Sequence, residues 1–176
     1  MDSLILNNNY FDSLNAWFQS IPKYDLLYRG SRDGFKGPEC HSKIDNYDSV
    51  LCVIETVNGN VFGGYTSDHF DTLNKNGCAV RSSHVWLFSL KNPHNVSPLC
   101  FKDDSGNQMI FSVREYGPCF GEHGALCVRN ESNNNTMSNT INFEFDFKDT
   151  TGYGSKLFDG AETFQIKEIE VFHVKL

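Results

Sequence analysis

Ser49–Ser67 reads SVLCVIETVNGNVFGGYTS, and its reading decides the fold. Ser49 to Thr56 is apolar and β-branched, Asn58-Gly59 reads as a two-residue turn, and Asn60 to Tyr65 runs back. Asn-Gly supplies the two positive φ values of a type I′ turn, whose twist matches the strands it joins. Gly63-Gly64 marks a place where a Cβ would obstruct a close backbone approach or a bulge. A hairpin therefore sits at the centre of the expected structure.

Upstream, Asn9 is a suitable N-cap. Phe11, Leu14, Phe18 and Ile21 follow at helical spacing, with Trp17 beside Phe18, up to Pro22. This predicts a short amphipathic helix that covers one face or edge of a sheet. Tyr24 to Tyr28 is a short strand, and Pro38 opens a helical stretch to Ile44. Downstream, Thr66 to Arg81 reads as a loop and Val85 to Leu90 as a central strand. Leu99–Phe101 and Met109–Val113 flank DDSGNQ as a second hairpin, which outweighs a calcium-loop reading of Asp103–Asn107. Ala125 to Val128 is a strand, and the Asn-rich run 130–139 is a loop of little expected order. Asn142–Phe147 alternates Phe143, Phe145 and Phe147 with polar residues, the pattern of a strand with one wet face. In the last strand, Phe164 and Ile166 lie on one parity and Ile169 and Val171 on the other. A bulge near Lys167-Glu168 restores one inward face. The fold class is mostly β (α+β), a two-sheet antiparallel β-sandwich flanked by short helices.

The 176 residues suit one domain, 1–176, with a sizeable core, and the chain is expected to be a piece of a longer multidomain protein. Fifteen Phe and seven Tyr favour pleated, half-buried surfaces. A net charge of −7 argues against nucleic acid, which needs a basic face, and against an anionic membrane surface. No run approaches a membrane span, and the N-terminus has no signal-peptide pattern. The expected compartment is the cytoplasm, with the six Cys as reduced thiols.

Arg29, Ser31, Asp33 and His41 form the best polar constellation. One reading is a recognition site in which Arg29 clamps a carboxylate or phosphate. The other is an internal Arg–Asp pair tying the turn to the sheet, with His41 on a backbone carbonyl. Ser31, Asp33 and His41 also have the residue types of a hydrolase triad, without a Gly-x-Ser-x-Gly elbow. Cys119, His123 and Cys127 are spaced C-x3-H-x3-C, but zinc wants a fourth ligand. Cys119, in a Gly-rich turn, and Cys40 are the candidate redox thiols. No metal and no cofactor is expected.

With these residues in hand, the chain resembles the TLDc domain family. The matching pieces are LLYRGSRDGF (26–35), His41, NGNVFGGYTS (58–67), FSL (88–90), YGPCFG (116–121) and KEIEVF (167–172). The resemblance implies a β-sandwich flanked by helices, a link to protection against oxidative stress and, in some members, binding and regulation of the vacuolar proton-pumping ATPase. The expected partner is accordingly a protein, the peripheral part of a vacuolar-type ATPase. Glu168 and Glu170, in the last motif, are its candidate contacts, expected to project from the face opposite Ile169 and Val171. The chain departs from the family pattern at Cys40, Ile44 and Ala125, and no catalytic residues carry over. The competing functions are a hydrolase built on Ser31, Asp33 and His41 and a thiol-based sensor.

Overall fold

A computed structural model describes residues 2–18, 20–102 and 108–176, whose strands form two antiparallel sheets of six. Sheet one has the order β1 (Lys23–Arg29), β12 (Ile166–Lys175), β2 (Val50–Thr56), β3 (Val61–Thr66), β5 (Val85–Lys91), β6 (Leu99–Lys102). Sheet two has the order β11 (Thr163–Phe164), β10 (Ser138–Asn139), β9 (Leu126–Cys127), β8 (Cys119–Phe120), β7 (Met109–Ser112), β4 (Cys78–Arg81). The β-sandwich expected from the sequence is therefore the fold.

Sheet one is buried on both faces. Val50, Cys52 and Ile54 of β2 join Phe62, Leu87 and Val171 in the core between the sheets. Leu51 and Val53 point the other way, into a second cluster with Leu14, Trp86, Phe88 and Phe172. That second face is covered by α1 (Asn8–Trp17), whose Phe11 and Trp17 pack on Tyr24 and on Trp86 and Phe88. The expected helical cover is present, with its cap at Asn7, whose side chain accepts the Tyr10 N–H. The helix ends at Phe18 rather than at Pro22, and Ile21 is exposed.

The β2–β3 hairpin forms in the expected register, Val50 opposite Thr66 and Glu55 opposite Val61. Its turn is longer than a type I′ turn. The Thr56 N–H donates to the Asn60 carbonyl, leaving Val57, Asn58 and Gly59 as the loop, and only Gly59 takes positive φ (78°). The Asp159 carboxylate selects this geometry, accepting from Thr56 Oγ1 (2.6 Å), Asn58 Nδ2 (2.9 Å) and Asn60 Nδ2 (2.7 Å). At Gly63 a Cβ would run into the Cys52 carbonyl, and at Gly64 it would lie 2.7 Å from the Phe120 ring, so both glycines are close-approach sites within β3.

The bulge in β12 falls between Ile166 and Glu168, and Ile166, Ile169 and Val171 all reach the inter-sheet core. Other expectations fail. The stretch read as a loop from Thr66 ends in β4, which pairs with β7. The second hairpin does not form. β6 pairs with β5 in sheet one, while β7 pairs with β4 and β8 in sheet two, so the chain crosses between sheets there. The candidate calcium turn Asp103–Asn107 lies outside the described residues. Asn142–Phe147 is not a strand. Phe143–Asp146 is a helical turn, α4, whose Phe143 and Phe147 share the buried side at i,i+4 while Phe145 is 76% exposed. The Asn-rich run is tied down by Asn135 Nδ2 donating to the Asn130 and Glu131 carbonyls, and it ends in β10. No helix among the described residues is long and apolar enough to cross a membrane.

Candidate functional site

Arg29 ends β1, and the chain folds at once into the helical turn α2 (Gly30–Asp33), which Gly34 closes at φ 98°. The turn brings the Asp33 carboxylate back onto the Arg29 N–H (3.0 Å) and onto the Arg32 guanidinium (2.7 Å). The Arg32 hydrogen bond lowers the Asp33 pKa against the opposing effect of burial, and the Arg29 N–H adds to it.

The Arg29 side chain goes elsewhere. Its Nε donates to Glu170 Oε1 at 2.8 Å, directly across the β1–β12 ladder. Its Nη2 donates to the Asp2 carbonyl at 2.9 Å. Glu170 is fully buried and also accepts from Ser3 Oγ (2.5 Å) and the Leu4 N–H (2.9 Å). Residues 2–4 are thus strapped over the sheet edge, Asp2 by the Arg29 guanidinium and Ser3 and Leu4 by the Glu170 carboxylate. Glu168 is 6% exposed and accepts the Ser31 N–H (3.1 Å) and the Ile169 N–H (3.0 Å). Neither glutamate projects outward as expected, because each compensates buried or half-buried donors. The internal-tie reading of Arg29 holds in form, but with Glu170 as the side-chain partner in place of Asp33. A guanidinium already bound to Glu170 and Asp2 has no free fork for a carboxylate or phosphate.

His41 sits in α3 (Gly37–Ile44), 3% exposed, against Phe70. Its Nδ1 lies 2.5 Å from Asp45 Oδ1, and Asp45 Oδ2 accepts the Thr72 N–H (3.1 Å) and hydroxyl (2.6 Å). So His41 ties the helix to the loop before β4 through Asp45, not through a backbone carbonyl. Among the described residues His41 Nε2 has no partner. Ser31, Asp33 and His41 make no hydrogen bond to one another. Each bonds to a different group: Ser31 N–H to Glu168, Asp33 to Arg29 and Arg32, His41 to Asp45. The relay that a triad requires is not assembled.

The cysteines also differ from expectation. Cys40 is 2% exposed, and burial pushes its thiol well above its usual pKa, the reverse of an activated thiolate. Cys119 is fully buried and disulfide-bonded to Cys127, with the Cα atoms 4.2 Å apart, so it is neither an exposed nor a reduced thiol. The C-x3-H-x3-C spacing gathers no ligand set. The His123 imidazole turns to Asp146, Nδ1 to Oδ1 at 2.7 Å.

Sequence reasoning missed two carboxylates that organise loops. Asp146 accepts the His123 N–H (3.0 Å) and the Ala125 N–H (3.2 Å), and Asp159 holds the β2–β3 turn. It also missed three exposed apolar side chains on and around α4 and the turn at Gly154. Phe145 packs beside His123 (5.8 Å between centroids), and the Glu144 carboxylate fills the space where a Gly154 side chain would lie. Next to Gly154, Tyr153 stacks on His94 at 3.8 Å. Phe145, Tyr153 (44%) and Ile141 (48%) each expose apolar surface. A lone exposed apolar residue needs no explanation, whereas several on neighbouring segments are candidates for a contact surface.

Comparison with known proteins gives one family. The description TLDc domain matches residues 1–175, essentially the whole chain. No curated protein matches.

Proposed function

The chain belongs to the TLDc domain family, and from that premise we propose that it is a non-enzymatic protein-interaction and regulatory domain. Its partner is a protein assembly, the peripheral part of a vacuolar-type proton ATPase, and its setting is protection against oxidative stress in the cytoplasm. The observation that carries this reading is the family match over residues 1–175, since an interaction role is what the resemblance implies. Two features of the molecule support it. The Asp33 and His41 side chains, two of the residue types of a hydrolase, are bound to different structural partners and not to Ser31. The exposed apolar residues Phe145, Ile141 and Tyr153 offer surface that a partner could bury.

The test is a quantitative affinity capture from the source organism's lysate, comparing wild type with a Phe145→Ser, Ile141→Ser variant. Both are first checked for folding. These positions are exposed, so the variant keeps its core, unlike substitutions at Glu168 or Glu170. An ATPase subunit enriched by wild type and reduced about tenfold by the variant, the size of a hot-spot loss, supports the role and places the contact at these residues. Equal enrichment keeps the role and moves the contact elsewhere. Absence of any ATPase subunit from the wild-type capture removes the reading.

A further inference from the structure

β8 and β9 are two residues long each, and their ladder consists of two pairs, Cys119 opposite Cys127 and Phe120 opposite Leu126. One of the two pairs is therefore the disulfide. The two cysteines are not equally covered. Cys119 is fully buried, whereas Cys127 keeps 6% exposure. Above Cys127 lies Gly124, at φ 74°, and a Cβ on that glycine would stand 3.0 Å from Cys127 Sγ. With no side chain on Gly124, nothing on that residue stands over the Cys127 sulfur. The Cα positions do not depend on the S–S bond alone. Phe120 is also paired with Ile110 and Cys127 with Asn139, and Asp146 holds the turn between them through His123 and Ala125. Opened, the two thiols stay opposite each other and can close again. The remaining cysteines offer no such pair. Burial pushes the thiols of Cys40 and Cys52 up, Cys100 is raised by burial as well, and Cys78 stands alone on an exposed strand.

We propose that Cys119–Cys127 is a reversible thiol–disulfide site whose substrate is a small-molecule thiol and its disulfide, with Cys127 as the attacked sulfur. A thiolate RS⁻ reaches Cys127 Sγ over Gly124 and forms the mixed disulfide RS–Sγ. The Sγ–Sγ bond breaks, and its electron pair leaves on Cys119 Sγ, which takes a proton from water. A second RS⁻ attacks the R-side sulfur, releasing RSSR and the Cys127 thiolate, which is protonated in turn. Two RSH are oxidised to RSSR and the protein disulfide is reduced to two thiols. The same steps run backwards with RSSR as oxidant. The site goes beyond the interaction role and does not depend on it.

The test is a redox titration of the folded chain with glutathione and glutathione disulfide, quenched by alkylation and read by peptide mass spectrometry. The expected result is that Cys119 and Cys127 change together as a two-electron step while circular dichroism stays native. In single variants, Cys119→Ser accumulates a glutathione adduct on Cys127, and Cys127→Ser accumulates about tenfold less on Cys119, because thiol exchange follows access to the sulfur. In the intact pair, Gly124→Asn, whose side chain tolerates positive φ, slows reduction about fivefold or more by covering Cys127. The proposal is overturned if the disulfide yields only after denaturation, if the two thiols fail to pair under oxidised glutathione, or if the adduct prefers Cys119. The titration and the Gly124→Asn rate decide it even where a cysteine variant does not fold.

Discussion

Sheet one and sheet two use different physics for the same architecture. In sheet one, β1, β2 and β5 are seven residues long and β12 ten, and β2 is buried at every position except Glu55. Long ladders and two apolar faces hold it. In sheet two, β8, β9, β10 and β11 are two residues each, too short to persist on backbone pairing alone. Side chains do the work there: the Cys119–Cys127 bond, Asp146 on the Gly121–Ala125 turn, Ser138 Oγ accepting the Arg129 N–H, and Ser112 Oγ accepting the Asp71 N–H. The difference teaches that one sheet is specified by a pattern spread over many residues, the other by a few polar contacts at single positions. A loss in the first should be global, and a loss in the second local.

The largest effect is expected at the edge of sheet one. Glu170→Ala leaves the Arg29 cation, 8% exposed, without its buried partner and removes the acceptor that holds Ser3 and Leu4. Urea unfolding should show a loss of about 3–5 kcal/mol. A loss under 1 kcal/mol would mean that the strap and pair are incidental. Removing the disulfide by Cys119→Ala with Cys127→Ala should cost about 2–3 kcal/mol, the entropy of a loop of this length. Hydrogen exchange should quicken first in residues 109–128, and uniform quickening across sheet one would break the contrast drawn above. Gly64→Ala drives a Cβ into the Phe120 ring between the sheets, and about 1–2 kcal/mol of overpacking cost is expected from thermal unfolding.

The smallest effect concerns His123. Its hydrogen bond to Asp146 raises the imidazole pKa above 6.5. A raised histidine stabilises most below its unfolded value, and that contribution is lost as pH rises through the folded value. The His123 side chain is 55% exposed, so solvent screening keeps the effect slight. An NMR titration should place His123 above 6.5 in wild type and return it toward 6.5 in Asp146→Asn. A wild-type value at or below 6.5 would show that Asp146 does not anchor this turn in solution.

What was legible follows the same division. The β2–β3 hairpin, β5 and the β12 bulge were readable because apolar periodicity is a local signal carried by neighbours in the chain. Phe143, Phe145 and Phe147 misled because three aromatics at alternate positions fit a strand, while two of them four residues apart fit a helical turn equally well. Burial of Phe143 and Phe147 against Phe158 and the inter-sheet core chose the helix. The hairpin expected around residues 103–108 failed because turn residues mark a reversal without saying which sheet the next strand joins. At the candidate site, Arg29 meets Asp33 only through its backbone N–H, while its side chain goes to Glu170 instead of the Asp33 carboxylate that one reading paired with it. Glu170, more than a hundred residues away, was expected to face outward.

By itself, the sequence determined the fold class, the central hairpin, the helical cover and the family, since each rests on patterns among residues close in the chain. Only the tertiary structure decided what the polar and sulfur groups do. Glu170 meets Arg29, Asp159 meets Asn58 and Asn60, and Cys119 meets Cys127 through strand pairings and loop returns. A buried charge or thiol takes its chemistry from the nearest group in space, and that neighbour is set by sheet order rather than by position along the chain.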